Sequence, residues 1–187
     1  MSNDQLPQRR TLLAGFAAIG LLSLAGCMTK PNRPVNADGT YCYRTGKSNR
    51  LKLTCTPAAI PTAAVEAEAK RFEGTSDALT VFVLRRSWGD ASVVVPVTVD
   101  GASGAATIPE SLVRMRLAPG KHRLSAKWDS LSADIVIEGQ AGEVRVVELK
   151  GSGWAWGNTF SWKDVGLDDV RERALATKLV ADVRAAR

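Results

Sequence analysis

Leu79-Thr80-Val81-Phe82-Val83-Leu84 is the stretch on which the fold turns. Six residues that are apolar but for one threonine, half of them valine or phenylalanine, read as a strand buried on both faces, in the middle of a sheet. Outward from it the apolar period is two. Val93, Val95, Val97 and Val99 alternate with Val94, Pro96 and Thr98 before an Asp100-Gly101 turn, and Pro96 predicts that this strand lies at an edge or a bulge. Ala105 to Ile108 is a short return. Val113, Met115 and Leu117 alternate with Leu112, Arg114 and Arg116 up to Ala118-Pro119-Gly120-Lys121, and Leu124, Ala126 and Trp128 alternate with Arg123, Ser125 and Lys127 beyond it. Further strands are expected at Ala133 to Ile137 and Val144 to Leu149, separated by the glycine-bearing stretch Gly139 to Gly142. Short strands with closely spaced turns predict a β-sandwich, in which each strand buries one face.

Helical periods flank the strands. Ala58 to Phe72, rich in Ala, Glu and Lys after Pro61, predicts a short helix with Pro61 in its first turn. At the other end Leu175, Leu179 and Val183 recur every four residues beside Ala176 and Val180. That spacing predicts a C-terminal amphipathic helix covering the sandwich, with Asp169 and Glu172 as a capping-box-like start. The chain has 187 residues, 45% hydrophobic and 24% charged, which fits one main domain and excludes wholesale disorder. With one His and three Cys, neither a metal site nor another cofactor is expected.

The first residues carry an address. Arg9 and Arg10 precede an uncharged apolar stretch, Thr11 to Ala25, which at about fifteen residues is short of the roughly 20 needed to span a bilayer. This is the layout of a signal peptide over residues 1–26. Leu24-Ala25-Gly26-Cys27 closely resembles the lipobox of bacterial lipoproteins. The resemblance implies that Cys27 is acylated, palmitate included, becomes the mature N-terminus and anchors the chain to a membrane. Met28 stands where an inner-membrane retention signal would place Asp, which implies the outer membrane, with the domain facing the periplasm. Gln8-Arg9-Arg10-Thr11-Leu12-Leu13 also has a twin-arginine look, so the export route stays open. Removing residues 1–26 takes away only Arg9, Arg10 and Asp4, and the basic excess stays with the mature domain.

Residues 27–39, polar and holding Pro31 and Pro34, read as a tether. Cys42 and Cys55 are then an even pair in an oxidising compartment, and a disulfide is expected. Thr45 to Asn49 is turn-rich, so residues 40–56 read as a hairpin clipped across its open end, with 57–74 the helical lead-in and 75–187 the sandwich. Gly46-Lys47-Ser48 mimics the end of a phosphate-binding loop, but Tyr41 stands where the first glycine belongs.

Val97-Thr98-Val99-Asp100-Gly101, Ile108-Pro109 and Leu117-Ala118-Pro119-Gly120-Lys121-His122 together resemble the PEGA type of surface β-sandwich module. With Ala69-Lys70-Arg71-Phe72 and the lipobox, the order is similar to that of a group of bacterial lipoproteins of unknown function. The resemblance covers about residues 69–187 and implies an Ig/PEGA-like fold and a location. It carries no catalytic residue across.

Three constellations are candidates for function. His122 is the one imidazole, and a small envelope hydrolase using it is the alternative to a noncatalytic module; against it, His122 sits in a turn and no Gly-x-Ser-x-Gly elbow occurs. If residues 118–121 form a hairpin loop, Leu117 pairs with His122 and Arg116 faces Arg123. That register puts Arg114, Arg116, Arg123 and Lys127 on one face, suited to an anionic lipid or acidic protein, or simply to water. Last, Gly151-Ser152-Gly153-Trp154-Ala155-Trp156-Gly157 reads as a flexible loop whose Trp154 and Trp156 could meet a protein, a glycan or the membrane interface, or could plug the sandwich end. Nucleic acid is not expected in this compartment. The sequence thus predicts a noncatalytic, lipid-anchored envelope module with a binding or accessory role.

Overall fold

Every side chain of Leu79–Arg85 is buried, and the strand they form has neighbours on both edges. The computed structural model describes residues 35–45, 52–85, 90–154 and 157–184, apart from the side chains of Ser103 and Trp154. In chain order these residues form β1 (Cys42–Thr45), β2 (Lys52–Cys55), α1 (Ala63–Ala69), β3 (Leu79–Arg85), β4 (Val95–Val99), β5 (Ala102–Thr107) and β6 (Ser111–Leu117). There follow β7 (Gly120–Trp128), β8 (Leu131–Gly139), β9 (Val144–Trp154), β10 (Gly157–Val165), α2 (Leu167–Ala176) and β11 (Lys178–Arg184).

The strands make a five-stranded sheet of order β10-β9-β3-β6-β11, a four-stranded sheet of order β5-β4-β7-β8, and the small β1-β2 pair. The fold is mainly β and sandwich-like, as the alternation predicted. Period-two burial explains the packing. Val81, Val83, Val113, Met115, Val147 and Leu149 point from the five-stranded sheet into one core, where Val95, Val97, Leu124, Ala126 and Ile137 meet them from the other. The opposite face of the five-stranded sheet is apolar too. Phe82, Leu84, Leu112, Val146 and Leu179 there pack under Ala69 and Phe72 of the α1 segment and Val170 and Ala174 of α2. A third layer, made of helix, therefore lies on the sandwich, and it is why Leu79–Leu84 has no polar alternation.

The C-terminal expectation is corrected. The helix ends at Ala176, where Thr177 turns back and bonds the Ala174 carbonyl with both its N–H and its hydroxyl. Lys178–Arg184 is a strand, parallel to β6. The fourfold spacing of Leu175, Leu179 and Val183 was a coincidence of two elements. Leu175 is 46% exposed, whereas Leu179 and Val180 are buried on opposite faces of the sheet. Gly166, not Asp169, is the N-cap of α2, and it caps with no side-chain bond; Asp168 and Asp169 lie in the first turn, where the helix dipole favours them. At α1 the cap is Thr62, whose hydroxyl accepts from the Val65 N–H, and Pro61 precedes it.

Pro96 belongs to β4, which is an interior strand rather than an edge. β7 pairs only with Val97–Val99, however, and the β4–β5 register shifts between Val97 and Val99, so the missing N–H of Pro96 falls outside the β7 ladder. The hairpin is not an appendage. Tyr41 and Tyr43 enter the main core, and Thr54 donates to the Ser92 carbonyl. Residues 35–39, expected within the tether, already form a turn, with the Asn36 N–H on the Thr40 carbonyl.

Candidate functional site

Cys42 and Cys55 are register partners at the open end of the β1–β2 pair and are joined by a disulfide. This is the expected clip. Cys27, the expected lipidation site, lies outside the described residues.

The four cations expected on one face do not share one. β6 and β7 follow each other in sequence but belong to different sheets, so Arg116 does not oppose Arg123. Gly120, at φ +132°, starts the new strand after Ala118-Pro119, and the alternation on either side was silent about which strands pair. Arg114 is 3% exposed, on the helix-covered face. Its guanidinium is held bidentately by Glu68 of α1, at 2.7 and 2.6 Å, and by Asp182 of β11, at 2.9 and 2.8 Å. Arg116 shares Asp182 at 3.0 Å. On the same face Glu66, buried, takes Lys70, Lys178 and the Leu179 N–H. Arg123 and Lys127 lie exposed on β7, in the other sheet. Lys121 and Arg123 there face Glu138 and Val136 of β8, a mixed rather than a basic surface.

This network sets the carboxyl groups. Burial, the largest influence on Glu66, pushes it up, but Lys178, Lys70 and the Leu179 N–H outweigh it and hold the group below the ordinary range. Asp182 behaves alike, with burial overcome by Arg114 and Arg116. The Arg114 hydrogen bond lowers Glu68 directly.

His122 is tied on both sides. Nε2 lies 2.7 Å from the Ala118 carbonyl, to which it donates, and Nδ1 lies 2.7 Å from Asp100 Oδ2. Asp100, at φ 51° in the β4–β5 turn, also accepts from the Arg123 N–H, which with His122 holds its carboxyl low. An aspartate orienting a histidine is the beginning of a hydrolytic triad, but the third member would need the nitrogen that Ala118 occupies. The ring clamps two turns together.

The glycine-rich tryptophan segment is not a long loop. Gly151 to Trp154 continue β9 and pair with β10, Gly157 opposite Trp154 and Thr159 opposite Ser152. Trp156, and the Trp154 side chain, lie outside what is described. Gly151 is glycine for want of space, since a Cβ there would meet Asp90 Oδ1 at 1.8 Å. The neighbouring aromatics do plug a side of the sandwich. Trp128 donates to the Asn158 carbonyl and Trp162 to the Ala133 carbonyl, both at 2.9 Å, bridging the sheets where β8 meets β10, with Phe160 edge-on to Trp128.

Sequence reasoning missed the buried pair of Arg85 and Asp90, both side chains 0% exposed. All five guanidinium N–H groups are directed at acceptors: Asp90 takes two of them, and the Ala91, Val93 and Thr107 carbonyls take the rest. The signal was an arginine closing a continuous apolar run, with an acid five residues on. A groove of about 600 Å³ runs between Pro57–Val65, β5 and β11, lined largely by small apolar side chains. Among the described residues no His, Cys, Asp and Glu cluster could hold a metal. No protein-family model matches the chain, and no curated protein matches it.

Proposed function

We propose that the chain is a noncatalytic lipoprotein of the bacterial cell envelope, anchored in the outer membrane through an acylated Cys27, whose PEGA-like β-sandwich faces the periplasm as a binding or accessory module. The observation that carries this reading is the Cys42–Cys55 disulfide. It accounts for two of the three cysteines in a way that suits an oxidising compartment, and it leaves Cys27, at the end of Leu24-Ala25-Gly26-Cys27, as the one available for a lipid. Two acyl chains or more give stable anchoring without a transmembrane helix. The double engagement of His122 favours the noncatalytic form over a hydrolase. Trp154, which closes β9, and Trp156, two residues on in the sequence, are the proposed contact for an envelope protein or glycan.

Metabolic labelling with an alkyne palmitate tests the anchor. Label on the wild-type chain, lost together with membrane fractionation in Cys27→Ser, supports it; label retained by Cys27→Ser, or absent throughout, refutes it. Capture of the same crosslinked partner by Trp154→Ala plus Trp156→Ala as by the wild type would remove the tryptophan contact.

A further inference from the structure

One residue breaks the apolar run Leu79–Leu84. Thr80 is 1% exposed and its N–H donates to the Glu143 carbonyl, but its hydroxyl has no hydrogen-bond partner among the described residues. Only two other buried side-chain atoms described here share that condition, Thr75 Oγ1 and Arg116 Nε. A buried polar atom left unpaired forfeits the hydrogen bonds it made in water, so folds leave few of them.

Two of the three stand side by side. Thr80 and Arg116 are register partners across the β3–β6 ladder. Leu79 and Val81 on one strand, and Met115 and Leu117 on the other, point into the core between the sheets, so Thr80 and Arg116 share the opposite, helix-covered face. Side chains directly opposite in this way have Cβ atoms about 5 Å apart. Arg116 gives one terminal N–H to Asp182 at 3.0 Å, which leaves its Nε on the strand side of the guanidinium without an acceptor.

The two atoms set the chemistry between them. Arg116 Nε only donates, whereas the Thr80 hydroxyl donates and accepts, and the two do not bond each other. An oxygen that accepts from Nε and exchanges a hydrogen bond with the hydroxyl completes both. That oxygen need carry no charge. Arg114, Arg116 and Arg184 are met by Glu68, Asp182 and Asp77, three guanidinium groups against three carboxylates, and an anion on Arg116 would sit beside Asp182. We propose that a water molecule occupies a fixed internal site between β3 and β6, where it bridges Thr80 Oγ1 and Arg116 Nε. Buried waters of this kind are held by polar groups that the chain itself leaves unpaired, and they belong to the fold as side chains do. The site gives the single threonine of the central strand its reason.

Thr80→Val tests the site by the sign of its effect. Valine keeps the shape and the strand preference of threonine. Where the hydroxyl holds the water, the variant removes one of its bonds and strands Arg116 Nε, and the Tm of the full-length protein should fall by about 2–6 °C. Where the hydroxyl is dry and unpaired, a methyl in its place relieves a penalty. A Tm that is unchanged or raised therefore overturns the site. A high-resolution crystal structure of the wild-type chain should show one water oxygen within hydrogen-bond distance of both atoms. A direct bond between Thr80 and Arg116, an ion in place of the water, or no density between them likewise overturns it.

Discussion

Arg85 and Arg114 lie in neighbouring strands of one sheet, both almost fully buried, and are solvated in opposite ways. Arg85 projects between the two sheets, and three of its five N–H groups go to backbone carbonyls, with one buried aspartate for charge and the Phe160 ring 4.9 Å away. Arg114 projects to the helix-covered face, and its donors go entirely to carboxylates, Glu68 being 43% exposed and Asp182 13%. The first arrangement builds an internal polar core from main chain, so it fixes the course of the segment from Asp90 to Val93 and the end of β5. The second ties α1 to β6 and β11 through carboxylates held below their ordinary range. One should be globally necessary; the other should be local and acid-labile.

Removing each arginine sharpens that contrast. Arg85→Met strands Asp90 in the core, and a buried charge without its partner costs about 3–5 kcal/mol, roughly a 10 °C loss of Tm or more for a domain of this size. Calorimetry should show it, with partial recovery when Asp90→Leu is added. Recovery is expected because two apolar residues are tolerated where one charge is not. The double variant Cys42→Ser plus Cys55→Ser should cost about 3 kcal/mol on the chain-entropy account, and hydrogen exchange should show Tyr41 to Thr56 opening first.

Arg114→Met should cost less, about 1–3 kcal/mol, since Glu68 and part of Asp182 recover water. Its clearer signature is in pH. Glu66, Glu68 and Asp182 have carboxyl groups lower in the folded protein than in the unfolded chain. Their contribution is therefore fully present above the unfolded values of about 4 and is lost as pH falls through the folded ones. Wild-type Tm should fall with acid below about pH 4.5, and the fall should be shallower in Arg114→Met. An equal slope would assign the acid sensitivity elsewhere. The smallest effect belongs to Arg123→Glu plus Lys127→Glu, expected within about 0.5 kcal/mol of wild type, because neither cation is in the network.

The fold was legible where burial and period agreed. Leu79–Leu84 announced a central strand, and the alternation from Val95 to Trp128 placed the strands that build the core. Pairing was not legible, because alternation reports which face a side chain takes and says nothing about its neighbour. Alternation alone sets Arg116 opposite Arg123, whereas their strands lie in separate sheets. The C-terminal segment failed for a related reason: Leu179 and Val183 fit a helical period, yet pairing with β6 and burial on two faces made a strand the better use of them. Glycine misled at 151–153, where scarcity of space beside Asp90 and the β9–β10 ladder, rather than flexibility, explains the composition. Of the candidate site, the disulfide was readable from cysteine arithmetic. The Glu68–Arg114–Asp182 cluster was not, because its members are 46 and 68 residues apart in sequence.

The mass of the intact protein extracted from membranes tests the account most directly. The prediction is a chain that begins at Cys27 and carries lipid on that residue, with Cys42 and Cys55 oxidised. A chain that begins elsewhere, or whose Cys27 is an unmodified thiol, would contradict it.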